Sequence, residues 1–156
     1  MIDIEVATLA DAQSIYELLT DCDLSTLEVL EPGTVYLVAR LAEKMVGVCG
    51  LEFDGESALL RSVAVDNGTR GRGIARALID GVRGELRRRG TRAVFLFSKD
   101  TGAFFENLGW VEVPVSEAAD ALRQAPQVKR YDRTGWYFNE RAFRLYLTGD
   151  TSGSLS

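Results

Sequence analysis

An α/β fold is what this chain predicts, and three observations carry the prediction. Strand-like and helix-like apolar periods alternate along 156 residues, a length suited to one domain with a substantial core. Asp54-Gly55 joins two apolar runs with a hairpin signal. The run LLRSVAVDNGTRGRGIARAL, residues 59–78, passes from strand through a glycine-rich turn into a helix.

The elements follow in order. Ile2, Ile4 and Val6 alternate as a strand. Thr8-Leu9-Ala10-Asp11 resembles a capping box with Asp in place of Glu, and Ile15, Leu18 and Leu19 mark the helix behind it. Residues 25–30 suit a short second helix ended by Pro32-Gly33. Residues 35–40 and 45–53 read as strands paired across residues 41–44, and Ser57–Val65 is the next strand. A helix over residues 73–89 stops at Gly90. Gly81 and Gly84 inside it cost about 1 kcal/mol each, which close packing on the sheet would offset.

Residues 94–97 form a buried-type strand, and Gly109 caps a helix over residues 101–108. Residues 110–115 read as a strand stopped by Pro114, and residues 116–124 as a helix capped by Ser116. Residues 126–135 read as a polar connection and residues 136–147 as the last strand. The domain is expected to span residues 1–147, with a disordered Gly/Ser/Thr-rich tail over residues 148–156.

Composition removes several classes of function. The chain has no histidine, which excludes Ser-His-Asp triads and leaves no ordinary zinc-hydrolase site, so no metal is expected. No apolar run is long enough for a membrane span, and the first residues lack the basic patch and apolar core of a secretory signal. Cys22 and Cys49 suit free thiols in a reducing cytoplasm. Residues 1–60 carry 12 acidic and 2 basic side chains, whereas residues 61–92 carry 9 basic and 3 acidic. The acidic total, net −5, and the absence of interleaved aromatic and basic residues argue against nucleic acid.

The basic segment contains the glycine-rich turn. A helix N-terminus presents free N–H groups and a partial positive charge, glycines admit close approach, and Arg70 and Arg72 add formal charge. Together they form a phosphate site. It is not a Walker loop, because Gly-Lys-Ser/Thr is missing, and the dinucleotide fingerprint fails at Arg76.

Arg70-x-x-Gly73-x-Ala75 after Val63-Ala64-Val65 resembles the acetyl-CoA signature of the GNAT acetyltransferase superfamily. A second block, residues 94–97 and then 101–108 with Gly109-Trp110, is similar to that family's fifth strand and helix end. The likeness covers about residues 1–113. It implies a largely antiparallel sheet with a splay between strands four and five, helices on both faces, and acetyl-CoA in the splay. The backbone of Val63, Ala64 and Val65 would pair with the pantetheine arm. The amides of Gly71, Arg72, Gly73, Ile74 and Ala75 would hold the pyrophosphate, aided by Arg70 and Arg72. An amine would then attack the thioester directly.

The chain departs from that pattern at three positions. Leu59 stands where histone-type members carry a glutamate base, Phe105 where many carry a tyrosine acid, and Ser98 where many carry a pantetheine-binding asparagine. Ser98 would bind pantetheine or assist the leaving thiol, or else cap the following helix. Glu52, inside an apolar strand, is the carboxylate available as base, unless it is a strand end facing water. Arg61 is a lone charge in LLRSVAV and needs a carboxylate partner, either Glu52 or that of a substrate. LLRSVAV with the FFE-x-x-G-W ending resembles small amino-acid N-acetyltransferases, of the arginine-pathway glutamate and arsinothricin-resistance types. That resemblance implies a small-molecule amine as acceptor. A peptide or protein acceptor, and an acyl-CoA-binding regulatory domain without catalysis, are the alternatives. Tyr131, Arg133, Trp136 and Tyr137 would line the acceptor pocket, form a homodimer contact, or pack within the last strand.

Overall fold

Apolar alternation and turn chemistry produce, in chain order, β1 (Asp3–Val6), α1 (Ala12–Asp21), β2 (Thr34–Leu41), β3 (Lys44–Asp54), β4 (Ser57–Val65), α2 (Ile74–Arg88), β5 (Ala93–Ser98), α3 (Gly102–Glu106), β6 (Val111–Val113), α4 (Val115–Ala121), α5 (Pro126–Thr134) and β7 (Arg141–Tyr146). This is a computed structural model, and it describes residues 1–135 and 140–147. The strands make one mixed sheet in the order β1-β2-β3-β4-β5-β7-β6. Strands β4 and β5, between which the resemblance implies a splay, are parallel neighbours, with Ser57, Ala58 and Leu59 opposite Ala93, Val94 and Phe95. The chain divides into two compact units, Met1–Leu51 with Leu60–Glu85, and Glu52–Leu59 with the chain from Leu86 onward.

In the first unit β1 runs antiparallel to β2, from Asp3 opposite Arg40 to Val6 opposite Leu37. Asp11 closes the turn ahead of α1 by accepting the Thr8 N–H at 2.9 Å. Ile15, Leu18 and Leu19 of α1 share a buried cluster with Tyr36, Val38, Val48 and Ala64. Helix α2 covers the other face of β3. A Cβ on Gly47 would lie 2.8 Å from Ile74 Cγ2, whereas the adjacent Val48 belongs to the α1 cluster. Gly81 answers the packing expectation for α2, since a Cβ there would lie 2.8 Å from Ile4 Cγ2.

In the second unit β7 inserts between β5 and β6. It is antiparallel to both, with Ala93 opposite Tyr146, Ser98 opposite Arg141, and Glu112 opposite Phe143. Leu59, Phe95, Val113 and Ala142 pack with Ala118, Ala119, Leu122 and Val128 in one core.

Three expectations need correction. Residues 25–30 form turns instead of a helix; Glu28 and Leu30 adopt left-handed φ values of 62° and 56°, which a right-handed helix cannot hold. Residues 126–134 form α5 instead of a connection. Pro126 occupies the first turn, and Gly135 ends the helix in the left-handed region, with its N–H donating to the Tyr131 carbonyl at 2.8 Å. Helix α4 begins at Val115 with Pro114 as its cap residue, so Ser116 lies inside it. The last strand begins at Arg141. The expected tail, and Trp136 and Tyr137 of the aromatic cluster, lie outside the described residues.

Candidate active site

The cofactor half of the expected site lies within the first unit. Strand β4 is regular until Ser62, whose φ of 58° puts a left-handed residue in mid-strand. Beyond this bend Val63 and Val65 are half-buried while Ala64 turns into the core. One 3-10 turn, Asn67–Thr69, leads to Arg70 in extended conformation. Gly71 and Gly73 then adopt φ values of 84° and 79°. A Cβ on either would meet nothing within 4 Å, so the backbone conformation, not crowding, demands glycine here.

The first helical bond of α2 runs from the Ala77 N–H to the Gly73 carbonyl at 3.0 Å. The amides of Ile74, Ala75 and Arg76 therefore have no acceptor within the helix. Arg70, Gly71, Arg72 and Gly73 are exposed around them, while the Ile74 side chain is buried, which leaves Ile74 only its amide to offer. The arrangement fits a diphosphate, with unpaired donors, a helix N-terminus and two exposed guanidiniums on one turn. Cys22 borders it: its thiol donates to the Val65 carbonyl at 3.5 Å and lies 4.0 Å from Arg70 Nη2.

Arg61 has the carboxylate its position requires, and Glu28 supplies it. Nη1 lies 2.8 Å from Glu28 Oε1, and the two side chains are 3% and 14% exposed. Its Nε also donates to Ser62 Oγ at 3.1 Å. The turn over residues 25–30 is thus tied to β4 through this ion pair.

The remaining expected residues lie within the second unit. Ser98, at the end of β5, accepts the Thr101 N–H at 3.0 Å and so closes the turn ahead of α3; it does not cap the helix, whose N-cap residue is Thr101. Glu52 is fully buried, which removes the water-facing alternative. Its Oε1 accepts the Gln127 N–H at 2.8 Å, at the first turn of α5. Phe105, where a tyrosine acid would stand, packs edge-on against Trp110 with ring centroids 5.4 Å apart.

Sequence reasoning missed a buried polar chain beside these residues. Gln127 Nε2 donates to Tyr131 Oη at 3.0 Å, and Tyr131 packs edge-on against Phe97. The Tyr131 hydroxyl also bonds the carboxyl of Glu140, whose Oε2 is buried without a hydrogen-bond partner. Burial pushes the Glu140 carboxyl above its ordinary value, and Asp100 adds to the rise; Lys99 and the Tyr131 bond oppose it. The signal was faint: one acid between an aromatic stretch and an apolar strand. Arg133, from the same expected cluster, is exposed.

Among the described residues no group of three His, Cys, Asp or Glu side chains is placed to hold a metal, and no helix is long and apolar enough to cross a membrane.

The model of the acetyltransferase (GNAT) domain matches residues 32–112. No curated protein matches the sequence. Among solved structures, N-acetylglutamate synthase from Neisseria gonorrhoeae, complexed with coenzyme A and N-acetyl-glutamate, is similar with a TM-score of 0.77 at 18% identity. That likeness covers 96% of this chain but only 36% of the synthase. Rv2747 from Mycobacterium tuberculosis, in complex with CoA, gives 0.76 at 22% identity, over 94% of this chain and 99% of that one. The ribosomal-protein-S18-alanine N-acetyltransferase from Escherichia coli gives 0.72 at 16% identity, over the whole of both chains. At these identities the structures speak for the fold, and the domain model, which takes in just over half of the sequence, speaks for the family. The chain belongs to the GNAT family and is an acetyl-CoA-dependent N-acetyltransferase.

Proposed function

We propose that the acceptor is a small carboxylated primary amine, an amino acid or a close analogue, and that acetyl-CoA is held by residues 63–75. The observation that carries the cofactor assignment is the turn in which left-handed Gly71 and Gly73 precede the unpaired amides of Ile74 and Ala75. The pyrophosphate sits on those amides, with Arg70 and Arg72 as charged flanks, and Val63, Ala64 and Val65 offer backbone to the pantetheine arm. By the family resemblance, the Ser98 hydroxyl would bind pantetheine or assist the leaving thiol.

Arg61 supports the carboxylated acceptor. Its guanidinium is held by Glu28 at 2.8 Å, and we assign it the acceptor's carboxylate as a second anionic partner that would share it with that pair. We read the chain as nearest the small amino-acid N-acetyltransferases, on the resemblance of LLRSVAV and the FFE-x-x-G-W ending. The amine attacks the thioester carbonyl directly, with no acyl-enzyme.

Two measurements test the reading. Arg70→Ala should weaken CoA binding by ~1–3 kcal/mol in calorimetry, the worth of a charge-assisted bond; unchanged binding removes Arg70 from the site. Product mass spectrometry with matched amines, one bearing a carboxylate and one not, should show acetylation of the carboxylated member. Acetylation of peptides alone would overturn the small-acceptor reading.

A further inference from the structure

Between α1 and β2, Asp23, Glu28 and Leu30 hold left-handed φ values of 59°, 62° and 56°, and Ser62 inside β4 holds 58°. None is glycine, so each conformation is costly, and folds keep such backbone where a ligand clamp or an active site needs it. Two of these residues meet at one arginine. Arg61 Nη1 donates to Glu28 Oε1 at 2.8 Å, and Arg61 Nε donates to Ser62 Oγ at 3.1 Å. The strained backbone thus converges on the ion pair that ties residues 25–30 to β4. All of it belongs to the first unit, and Val63, where we start the pantetheine arm, follows Arg61 by two positions on the same strand. Both charges of the pair are nearly shielded from water. The segment around Glu28 is acidic: residues 21–31 carry Asp21, Asp23, Glu28 and Glu31 and no basic side chain.

We propose that Glu28 is a specificity-determining residue: it takes the acceptor's ammonium while Arg61 takes the carboxylate, so the acceptor is an α-amino acid without a second carboxylate. The inference rests on the carboxylated-amine reading above and narrows its substrate class. Two features carry it. The first is spacing. The guanidinium and the carboxylate are in contact, so a ligand that meets both must carry its own two charges close together, as an α-amino acid does on one carbon. The second is charge. Within the first unit Glu28 already matches Arg61. A zwitterion adds one charge of each sign and leaves neither unmatched in a shielded site. A dicarboxylic amino acid would bring a surplus anion beside Glu28, on a segment with four acids and no base. A carboxylate accepts N–H bonds from an ammonium and from a neutral amine alike, so the contact survives the deprotonation that precedes attack.

The test is kcat/KM for CoA release with matched acceptors: glutamine against glutamate, asparagine against aspartate, and α-aminobutyrate against γ-aminobutyrate. Wild type, Glu28→Gln and Glu28→Asp are compared, with melting curves alongside. Wild type should favour each amide over its acid, and the α isomer over the γ isomer, by about 10-fold or more. Glu28→Gln should raise KM for the amides about 10-fold or more, as loss of a charge-assisted bond does, and should shrink or reverse the amide-over-acid preference. Glu28→Asp keeps the charge and should keep the preference. A pair that only holds the turn in place would slow every acceptor alike, so a folded Glu28→Gln with the wild-type preference overturns the proposal. A wild type that favours the acids or the γ isomer overturns it as well, and that comparison decides the matter even where Glu28→Gln does not fold. If wild type acetylates carboxylated amines with the acids preferred, this inference fails and the reading beneath it stands. If wild type acetylates no carboxylated amine, the reading fails and takes the inference with it.

Discussion

Arg61 and Glu28 offer a quantitative test of how the turn over residues 25–30 is held to β4. At their 2.8 Å separation Coulomb's law gives about 6 kcal/mol at an effective dielectric of ~20, and about 1.5 kcal/mol in water. The pair lies between these limits, because Arg61 is 3% and Glu28 14% exposed, and each charge has given up hydration. A coupling of about 2–3 kcal/mol is the expected balance. Glu28→Gln and Arg61→Met should each destabilise by more than that coupling's half, and the double variant should cost less than their sum. Urea unfolding of all four proteins reads this as midpoint shifts of about 1 M for a slope near 2 kcal/mol/M. A coupling below about 0.5 kcal/mol would mean that the pair behaves as a surface contact, and the burial argument would fail. If the coupling holds yet Arg61→Met raises KM equally for amines with and without a carboxylate, the arginine is structural only.

Two other outcomes follow from packing and chemistry. Gly50→Ala would drive a Cβ to 2.7 Å from the buried Tyr36 ring, and should cost about 1–3 kcal/mol by thermal melting. Gly68→Ala, whose Cβ meets only Asp66 Oδ2 at 3.3 Å, is its mild control. With a thiol reagent near pH 8, Cys22 should react and Cys49 should not, because burial pushes the Cys49 thiol up to about 12. CoA should slow the Cys22 reaction, since its sulfur borders Val65 and Arg70. Equal rates with and without CoA would move the cofactor away from β4.

Most strands were legible because alternation and turn signals coincide. Ser57–Val65 emerged with the bounds read from sequence, and Asp54-Gly55 makes its hairpin with Gly55 at a φ of 57°. Helix α5 was hidden because its residues are mostly polar. Its Pro126 and Gly135 brackets were visible, but only Val128 and Tyr131 mark the apolar face. The left-handed Ser62 was not legible, because a glycine would have signalled it and a serine does not. The turn of residues 25–30 depends on Glu28 reaching Arg61, 33 positions away, which no local pattern encodes. For the site, the glycine-rich turn was readable because its chemistry is local. Glu52 was read as a carboxylate in apolar surroundings, correctly so for burial, but its bond to Gln127 crosses 75 positions. Glu140 went unnoticed because its neighbours come from α5 and from the end of β5.

The most direct test is free-thiol release from acetyl-CoA by the purified chain, titrated against amino acids, their decarboxylated counterparts, polyamines and short peptides. The account predicts saturable release with a carboxylated small amine, weak release with its decarboxylated counterpart, and loss of acetyl-CoA saturation in Arg70→Ala. Release with peptides alone, or tight acetyl-CoA binding with no amine-dependent release, would contradict it.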